Sequence, residues 1–305
     1  MIDHNLEKIA GQNKVGQFNH FFLTKFNVRS FPELRPGCEP AWLERRFNLF
    51  DQYCFPSVAN QSNQNFKWIV FFDVDTPEPF KQKIAEYAKK WANFVPVYLD
   101  CPLPYGEFPD EVRTVVREYI PKDCEYLITT WLDNDDAIHQ DYVQRIQENF
   151  EPKDGETLNF FFGYQLAEGK LYFDFELANH FISLIEKYNS ESFNTCLCRP
   201  HKELYEVCKS AKKIFCKPLW IEVVHGSNYM NVYRRGFRIP VGNILDDYSL
   251  KAEEPKDQEK TIPFLWEQAK ISIFFPYYFL RKVFLRIKHK QLDELAISSF
   301  KIKKY

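Results

Sequence analysis

The sequence predicts an α/β fold in which helices flank a mixed β-sheet, followed by a C-terminal helical extension. In the first half of the 305-residue chain, apolar strand-like runs alternate with segments of helical periodicity, which is the pattern of a parallel sheet. The second half contains a hairpin pattern, which adds antiparallel strands. Acidic residues directly follow two of the apolar runs, at the sheet edge where open α/β proteins bind ligands.

Four strands and four helices account for the first half of the chain. The run at 66–72 is continuously apolar, which is typical of a strand covered on both faces. Helical spacing of apolar residues, with prolines in several first turns, predicts the helices. The strands are predicted at 18–23, 66–72, 94–99 and 126–132, and the helices at 40–58, 77–91, 109–119 and 141–150.

The second half has a different composition. Two apolar stretches, 158–166 and 170–175, flank Ala167-Glu168-Gly169 and predict the hairpin. Further helices are predicted at 179–188 and 202–209, and a last core strand at 218–224. A polar, charged segment then predicts a linker. These features divide the chain into a main domain at 1–245, a linker at 246–262 and a basic, aromatic, helical tail at 263–305.

Composition excludes several classes of protein. The net charge of −2 argues against a nucleic-acid-binding protein. Eight scattered cysteines without a Cys-x-x-Cys pair indicate reduced thiols, as in a cytoplasmic protein. The N-terminus shows no signal-peptide pattern, and no run approaches the ~20 apolar residues that a spanning helix needs. We therefore expect a cytoplasmic location.

The tail carries a second prediction. Residues 271–280 are uncharged, and several Lys and Arg residues follow them. Such a segment is too short to span a bilayer but could lie on its surface, so the sequence predicts contact with the inner membrane face through 263–290. The alternative is a helix that packs on the main domain or on another subunit.

The most informative stretch follows the fourth predicted strand and reads Asp133-Asn134-Asp135-Asp136. Carboxylates this close repel one another unless a cation offsets their charge. Grouped carboxylate oxygens are suitable ligands for Mg²⁺ or Mn²⁺, which can hold a diphosphate. The alternative is a solvated turn in which an Asp caps the next helix.

A second acidic strand end reads Asp73-Val74-Asp75. Asp73 could accept a hydrogen bond from a nucleobase or a ribose. The alternative, to which we give equal weight, is that this acidic strand end caps the helix predicted to start near Pro77.

Several segments together resemble a known family. Leu132-Asp133-Asn134-Asp135-Asp136-Ala137 resembles the Asp-x-Asp loop of GT-A glycosyltransferases, and the turns after the first and second strands resemble those of the same fold. More narrowly, about residues 18–245 are similar to the bacterial rhamnosyltransferase family. The resemblance rests on FNHFFLTKFNVRS, WLERRFNLFDQYCFPSVANQSNQNFKWIVFFD, YLITTWLDNDDA and VVHGSN. One departure is Trp131, where this family is expected to carry a smaller or a basic residue.

The resemblance implies a GT-A-like catalytic domain that binds a nucleoside-diphosphate sugar, with dTDP or UDP as the nucleotide. It implies a divalent metal, Mn²⁺ or Mg²⁺, on Asp133 and Asp135, with His225 as a third ligand. His225 could instead be an ordinary loop residue, and Arg117 an ordinary surface arginine. The nucleotide-binding residues implied by the resemblance are Thr24, Phe26, Asn27, Arg29, Asp73, Arg117 and Asp133.

Transfer requires a group that deprotonates the acceptor hydroxyl if the configuration inverts. Glu222 is our first candidate for this base because it lies late in the chain on a strand that runs toward His225, and Asp174 and Glu176 are alternatives. Asp136 is a second candidate catalytic residue, which could contact the sugar or cap the next helix. Polysaccharide synthesis on a glycan or lipid-linked acceptor is the implied setting.

Two other functions stay open from the sequence. A nucleotidyltransferase could use the same metal-binding carboxylates, although the chain lacks a Gly-rich phosphate-binding turn. A non-catalytic nucleotide- or sugar-binding assembly protein could share the fold. Such a protein would bind nucleotide without a metal, or not at all.

Overall fold

The fold was derived from a computed structural model, which describes residues 18–29, 37–104, 106–176, 178–200, 203–204, 208–226, 237–251 and 280. A seven-stranded sheet forms its centre, with the strand order β10-β6-β9-β4-β1-β2-β3. The strands of this sheet are β1 (Phe18–Lys25), β2 (Lys67–Asp73), β3 (Phe94–Leu99), β4 (Tyr126–Trp131), β6 (Glu156–Phe160), β9 (Ile182–Lys187) and β10 (Ser210–Ile214).

Strands β1 to β4 are parallel, and β9 runs antiparallel between β4 and β6. The predicted mixed sheet is therefore confirmed. Its helices are α1 (Pro40–Leu49), a π-helical turn (Phe50–Cys54), α2 (Phe55–Ala59), α3 (Glu78–Lys90), α4 (Phe108–Glu118) and α5 (Tyr142–Glu148). The predicted C-terminal extension lies outside the described residues, apart from Leu280.

A second, five-stranded sheet has the order β12-β8-β7-β11-β5. The predicted hairpin is confirmed: β7 pairs with β8 through a turn in which Glu168 and Gly169 have φ of 53° and 71°. The strands are β5 (Ala137–Ile138), β7 (Phe162–Ala167), β8 (Lys170–Phe175), β11 (Trp220–Val224) and β12 (Phe237–Ile239).

One sequence prediction about the second half is wrong. The segment predicted as a helix at 179–188 contains β9, a six-residue strand whose pairing with β4 and β6 outweighs its weak local pattern. Tyr248 and Leu250, which follow the predicted boundary at 245/246, are buried in the core beneath the second sheet. The Tyr248 hydroxyl also donates to the Pro218 carbonyl oxygen at 2.9 Å.

A buried polar chain crosses the middle of the main sheet. His20 Nε2 lies 2.8 Å from Thr130 Oγ1, which in turn lies 2.8 Å from Ser183 Oγ. Gln147 donates to His20 Nδ1 at 3.3 Å, which fixes the proton of the neutral ring on Nε2. Burial lowers the pKa of His20 from 6.5 to about 3, so the folded protein holds this ring neutral.

This histidine predicts loss of stability in acid. Because its folded-state pKa lies below the unfolded value, the unfolded chain binds more protons as pH falls below 6.5. The free energy of unfolding should therefore fall by about 2 kcal/mol more in the wild type than in His20→Gln between pH 6.5 and 4.5. Denaturant titrations at both pH values measure this difference, and parallel pH profiles would contradict it.

A tight contact within the second sheet lies at Gly163 of β7, next to Trp220 of the paired strand β11. The Trp220 indole covers this glycine so closely that an added Cβ would lie 2.0 Å from the ring. Trp220 also stacks on Phe181 at 5.2 Å, next to His180 in the chain. Because Gly163 has no side chain, it determines where the Trp220 ring lies. The stack of Trp220 on Phe181 ends beside the acidic loop described below.

We expect Gly163→Ala to lower the free energy of unfolding by about 3 kcal/mol, because the buried Trp220 ring has little space to move. Gly106→Ala is the control, since nothing lies within 4 Å of a Cβ added there. Urea unfolding of both variants measures the effect. Equal midpoints for the two variants would show that the contact yields without cost.

Candidate active site at the acidic loop

The acidic loop, Asp133 to Asp136, leaves the carboxyl end of β4 at the centre of the main sheet. Its backbone is fixed on both sides: Leu132 donates to Leu23 O at 3.2 Å and accepts from Thr24 Oγ1 at 2.7 Å. The Asn134 amide donates to the Phe26 carbonyl oxygen at 3.0 Å. Ala137 and Ile138 then pair with β11, which brings the loop against the second sheet.

Asp136 is fully buried and points toward the second sheet. Its Oδ1 accepts from the Val223 backbone N–H at 2.8 Å, and its Oδ2 accepts from His180 Nε2 at 2.7 Å. Burial raises the pKa of Asp136. Burial also lowers the pKa of His180. The hydrogen bond to Asp136 and the charge of Asp136 outweigh burial and raise the pKa of His180 from 6.5 to about 9. The proton therefore lies on His180, and the two form a buried ion pair.

Asp135 is held by Arg46 and His225. Its Oδ2 lies 2.5 Å from Arg46 of α1 and 2.9 Å from His225 Nε2. Burial would raise the pKa of Asp135, but the hydrogen bond from His225 and the charge of Arg46 outweigh burial and lower it. Asp135 and His225, which the resemblance implies as ligands of one metal, thus lie in direct contact, and Arg46 already balances the charge of Asp135.

Asp133 is the carboxylate that the loop presents to solvent, with 42% of its side chain exposed. Trp131 Nε1 donates to its Oδ1 at 2.9 Å, and its Oδ2 lies 4.0 Å from His180 Nε2. Ligand atoms of Asp133, Asp136 and His180 all lie within 4.8 Å of one another. Two carboxylates and an imidazole at this spacing fit Mn²⁺ or Mg²⁺.

Three residues expected to bind the nucleotide make contacts within the protein. Thr24 is buried, where its hydroxyl accepts from the Trp68 indole at 2.8 Å and donates to the loop backbone. The Phe26 ring packs in the core against Phe47. The Asn27 side chain makes hydrogen bonds that join the turns after β1 and β2. These side chains shape the edge of the sheet.

The two remaining residues of these turns form an ion-pair network. Arg29 Nε donates to Asp73 Oδ2 at 2.5 Å, and its NH2 donates to Asp75 Oδ2 at 2.7 Å. Asp73 is buried, whereas 64% of the Asp75 side chain is exposed. The Arg29 guanidinium is partly exposed, so the network presents both signs of charge at the same sheet edge as the acidic loop.

Arg117 does not come together with the other predicted residues. It ends α4, which runs back along the sheet, so it lies near the start of β4 rather than near Asp133. Arg117 Nε donates to the Ser190 carbonyl oxygen at 3.2 Å, and its guanidinium lies over the Phe193 ring. A groove of about 1040 Å³ at this far edge includes Ser190 and Phe193 and none of the acidic-loop residues.

Glu222 is buried on β11, with 2% of its surface exposed. Its Oε2 accepts from the Gln165 amide at 2.6 Å, and its charge helps to raise the pKa of His180. A base must touch the acceptor hydroxyl. This burial therefore does not support direct contact between Glu222 and an acceptor. Asp174, the alternative, is also buried.

His180 and Arg46 were not predicted from the sequence. His180 stands alone in a segment predicted as a helix, and only the pairing of β9 brings it to Asp136. Arg46 shares its helix with Arg45, and no local pattern separates the arginine that reaches Asp135 from the one that does not. The Glu-Arg-Arg stretch in a segment that carries the family resemblance was the one available signal.

Comparisons with known proteins agree with this geometry at the level of the family. Residues 35–234, more than half of the chain, match the family model described as "Putative rhamnosyl transferase". No curated protein matches the chain. No helix among the described residues is long and apolar enough to cross a membrane.

Similarity to solved structures is distant. The S. aureus TarS 1-349 structure in complex with UDP is 13% identical over 68% of this chain, with a TM-score of 0.39. The aligned part spans 60% of the TarS chain, which is less than two thirds of its length. The 4-diphosphocytidyl-2C-methyl-D-erythritolsynthase from Anaerococcus prevotii is 12% identical over 84% of this chain and 97% of that chain, with a TM-score of 0.32.

The matched range begins before α1 and ends after β11, so it includes the acidic loop, Arg46, His180 and His225. All the groups that meet around the loop therefore lie inside the family's own segment. The chain belongs to the rhamnosyl transferase family.

Proposed function

We propose that the chain transfers a sugar, with rhamnose as the first candidate, from a nucleoside-diphosphate donor to a hydroxyl of a glycan or lipid-linked acceptor, and that it requires a divalent metal. The observation that carries this proposal is the solvent-exposed carboxylate of Asp133 beside Asp136 and His180. Polysaccharide synthesis is the setting that the family suggests.

Asp133 and Asp136 would hold the ion, with His180 as the third ligand after loss of its ring proton. Mn²⁺ or Mg²⁺ at this place would neutralise negative charge on the departing diphosphate. The set predicted from the sequence, Asp133, Asp135 and His225, is the competing arrangement. We favour the first set because Arg46 already compensates the charge of Asp135, whose Oδ2 also lies 2.9 Å from His225 Nε2.

The donor nucleotide would lie along the same edge, between the acidic loop and the turns after β1 and β2. Arg29 offers a partly exposed positive charge there, and Asp75 offers an exposed acceptor for ribose or base hydrogens. Asp73 would act by fixing Arg29, because its carboxylate is buried under that guanidinium. In this arrangement dTDP or UDP would be bound without using the buried Thr24 or Asn27 side chains.

Glu222 and Asp136 would act together on His180 from the buried side. Asp136 is bonded directly to the imidazole, and Glu222 adds a second negative charge nearby. We therefore propose that Glu222 supports the position and charge of His180, which revises its predicted role as the base.

Contact of 263–290 with a membrane surface and a cytoplasmic location are part of the same proposal. They rest on the uncharged stretch at 271–280 and the basic residues after it. A lipid-linked acceptor would give such a contact a purpose. These positions lie outside the described residues, except Leu280.

Thermal unfolding with dTDP, UDP and GDP, each with and without Mn²⁺, tests the proposal. A nucleotide at 100 times its dissociation constant adds about 2.7 kcal/mol of stability, which corresponds to a rise in Tm of roughly 5 °C for a chain of this size. We expect this rise for dTDP or UDP only when Mn²⁺ is present. A metal-independent rise would favour the non-catalytic binding protein, and no rise with any nucleotide would contradict donor binding.

A further inference from the structure

Trp131, the residue that departs from the family's expected pattern, makes a specific contact with the exposed carboxylate. Its indole Nε1 donates to Asp133 Oδ1 at 2.9 Å. Trp131 is the last residue of β4, where it pairs with Leu23 of β1, and its ring packs partly buried against a core cluster beneath the sheet. The ring position is therefore set by the strand and not by the loop.

The side-chain rotamer of Asp133 is the one feature of the acidic loop that is left for this contact to control. Hydrogen bonds of Leu132 and Asn134 fix the backbone on both sides of Asp133, and its own carbonyl oxygen accepts from Cys54 Sγ at 3.4 Å. The Asp133 side chain, being 42% exposed, would otherwise sample several rotamers. The hydrogen bond to the indole selects one of them.

The chemistry of indole suits this task. Its N–H can only donate, so it can hold a carboxylate oxygen and cannot itself ligate a cation. With Oδ1 held by Trp131, the other oxygen is the one that lies 4.0 Å from His180 Nε2. Asp133 Oδ2 also lies on the side of the loop where Asp136 contacts His180.

We propose that Trp131 is a positioning residue, which presents Asp133 Oδ2 to a divalent cation shared with Asp136 and His180. The inference rests on the proposed metal-dependent function and adds the residue that orders its exposed ligand. Outer-shell partners of this kind change metal affinity by roughly 10- to 100-fold when they are removed.

The test is the dissociation constant for Mn²⁺ in the full chain, measured by electron paramagnetic resonance of the free ion without substrate. Trp131→Phe keeps a ring in the packed position and removes the N–H. We expect its dissociation constant to rise about tenfold, as the loss of one charge-assisted hydrogen bond implies. Trp91→Phe is the matched control, because Trp91 Nε1 donates to Gln64 Oε1 at 3.0 Å, away from the acidic loop.

A second readout separates positioning from general damage. With Mn²⁺ saturating, kcat of Trp131→Phe should recover to within about threefold of the wild type, while half-saturation by Mn²⁺ shifts about tenfold. In an Asp133→Asn background, Trp131→Phe should cause no further change in Mn²⁺ affinity. If the Phe variant unfolds, the benzothiophene analogue of Trp131 replaces it, since this analogue keeps the ring shape and lacks the N–H.

The possible outcomes distinguish a failure of the proposed role of Trp131 from a failure of the proposed metal-dependent function. Wild-type affinity in Trp131→Phe, or an equal loss in Trp91→Phe, would overturn the role of Trp131 while leaving the metal site intact. If wild type and Asp133→Asn both fail to bind Mn²⁺, the metal proposal itself fails and Trp131 has no ion to serve.

Discussion

Replacing Asp133 with Asn is expected to lower kcat by about 10³-fold while the protein stays folded. The side chain is 42% exposed and contributes little to the core, so its removal should cost little stability. It is also the one loop carboxylate in the described structure that reaches solvent beside His180. Losing its charge removes several kcal/mol of stabilisation from the departing diphosphate, and each 1.4 kcal/mol corresponds to a factor of ten.

The measurement is nucleoside diphosphate release under saturating Mn²⁺, with the melting temperature recorded in parallel. Asp110→Asn serves as the control, because Asp110 is an exposed carboxylate of α4 that pairs with Arg113. Its turnover should equal that of the wild type. Turnover in Asp133→Asn within tenfold of the wild type would remove Asp133 from the active site.

His180 and His225 are expected to respond differently to the same substitution. Glutamine can still donate a hydrogen bond to Asp136 or Asp135, but its amide is a poor metal ligand. We expect His180→Gln to raise the Mn²⁺ concentration for half-maximal activity by at least about 30-fold, and His225→Gln to raise it by less than about threefold. A Mn²⁺ titration of activity measures both.

The reverse order would identify Asp133, Asp135 and His225 as the metal ligands. Truncation to Ala is the harsher change at position 180. It would leave Asp136 buried without its charged partner, at a cost of roughly 3–5 kcal/mol. The two glutamine variants therefore compare ligand chemistry with a smaller effect on folding.

The first half of the fold could be predicted from the sequence because its signals are local. The apolar run of β2 is buried along nearly its whole length, as its composition indicated. The acidic residues after β2 and β4 then share one edge as a consequence of parallel topology. Strand β9 escaped prediction because its six residues are defined by their neighbours β4 and β6, and not by a pattern of their own.

The sheet edge at which the acidic residues gather could be predicted, but the contacts of individual side chains could not. Thr24 and Asn27 stand at the expected turn, yet their side chains are used up by Trp68 and Thr76, which are distant in sequence. Arg117 was misplaced because sequence separation from Asp133 does not show which end of α4 faces the ligand edge. Contacts of this kind depend on how the sheets and helices pack, and a single sequence does not encode that packing locally.

The central claim, metal-dependent sugar transfer at the acidic loop, is tested most directly by donor turnover. Nucleoside diphosphate release from dTDP-rhamnose and from other dTDP- and UDP-sugars would be followed with Mn²⁺, with excess chelator, and after Mn²⁺ is restored. We predict release from at least one donor that the chelator abolishes and Mn²⁺ restores, and that Asp133→Asn lacks throughout. Release that persists in chelator, or that Asp133→Asn retains in full, would contradict this account.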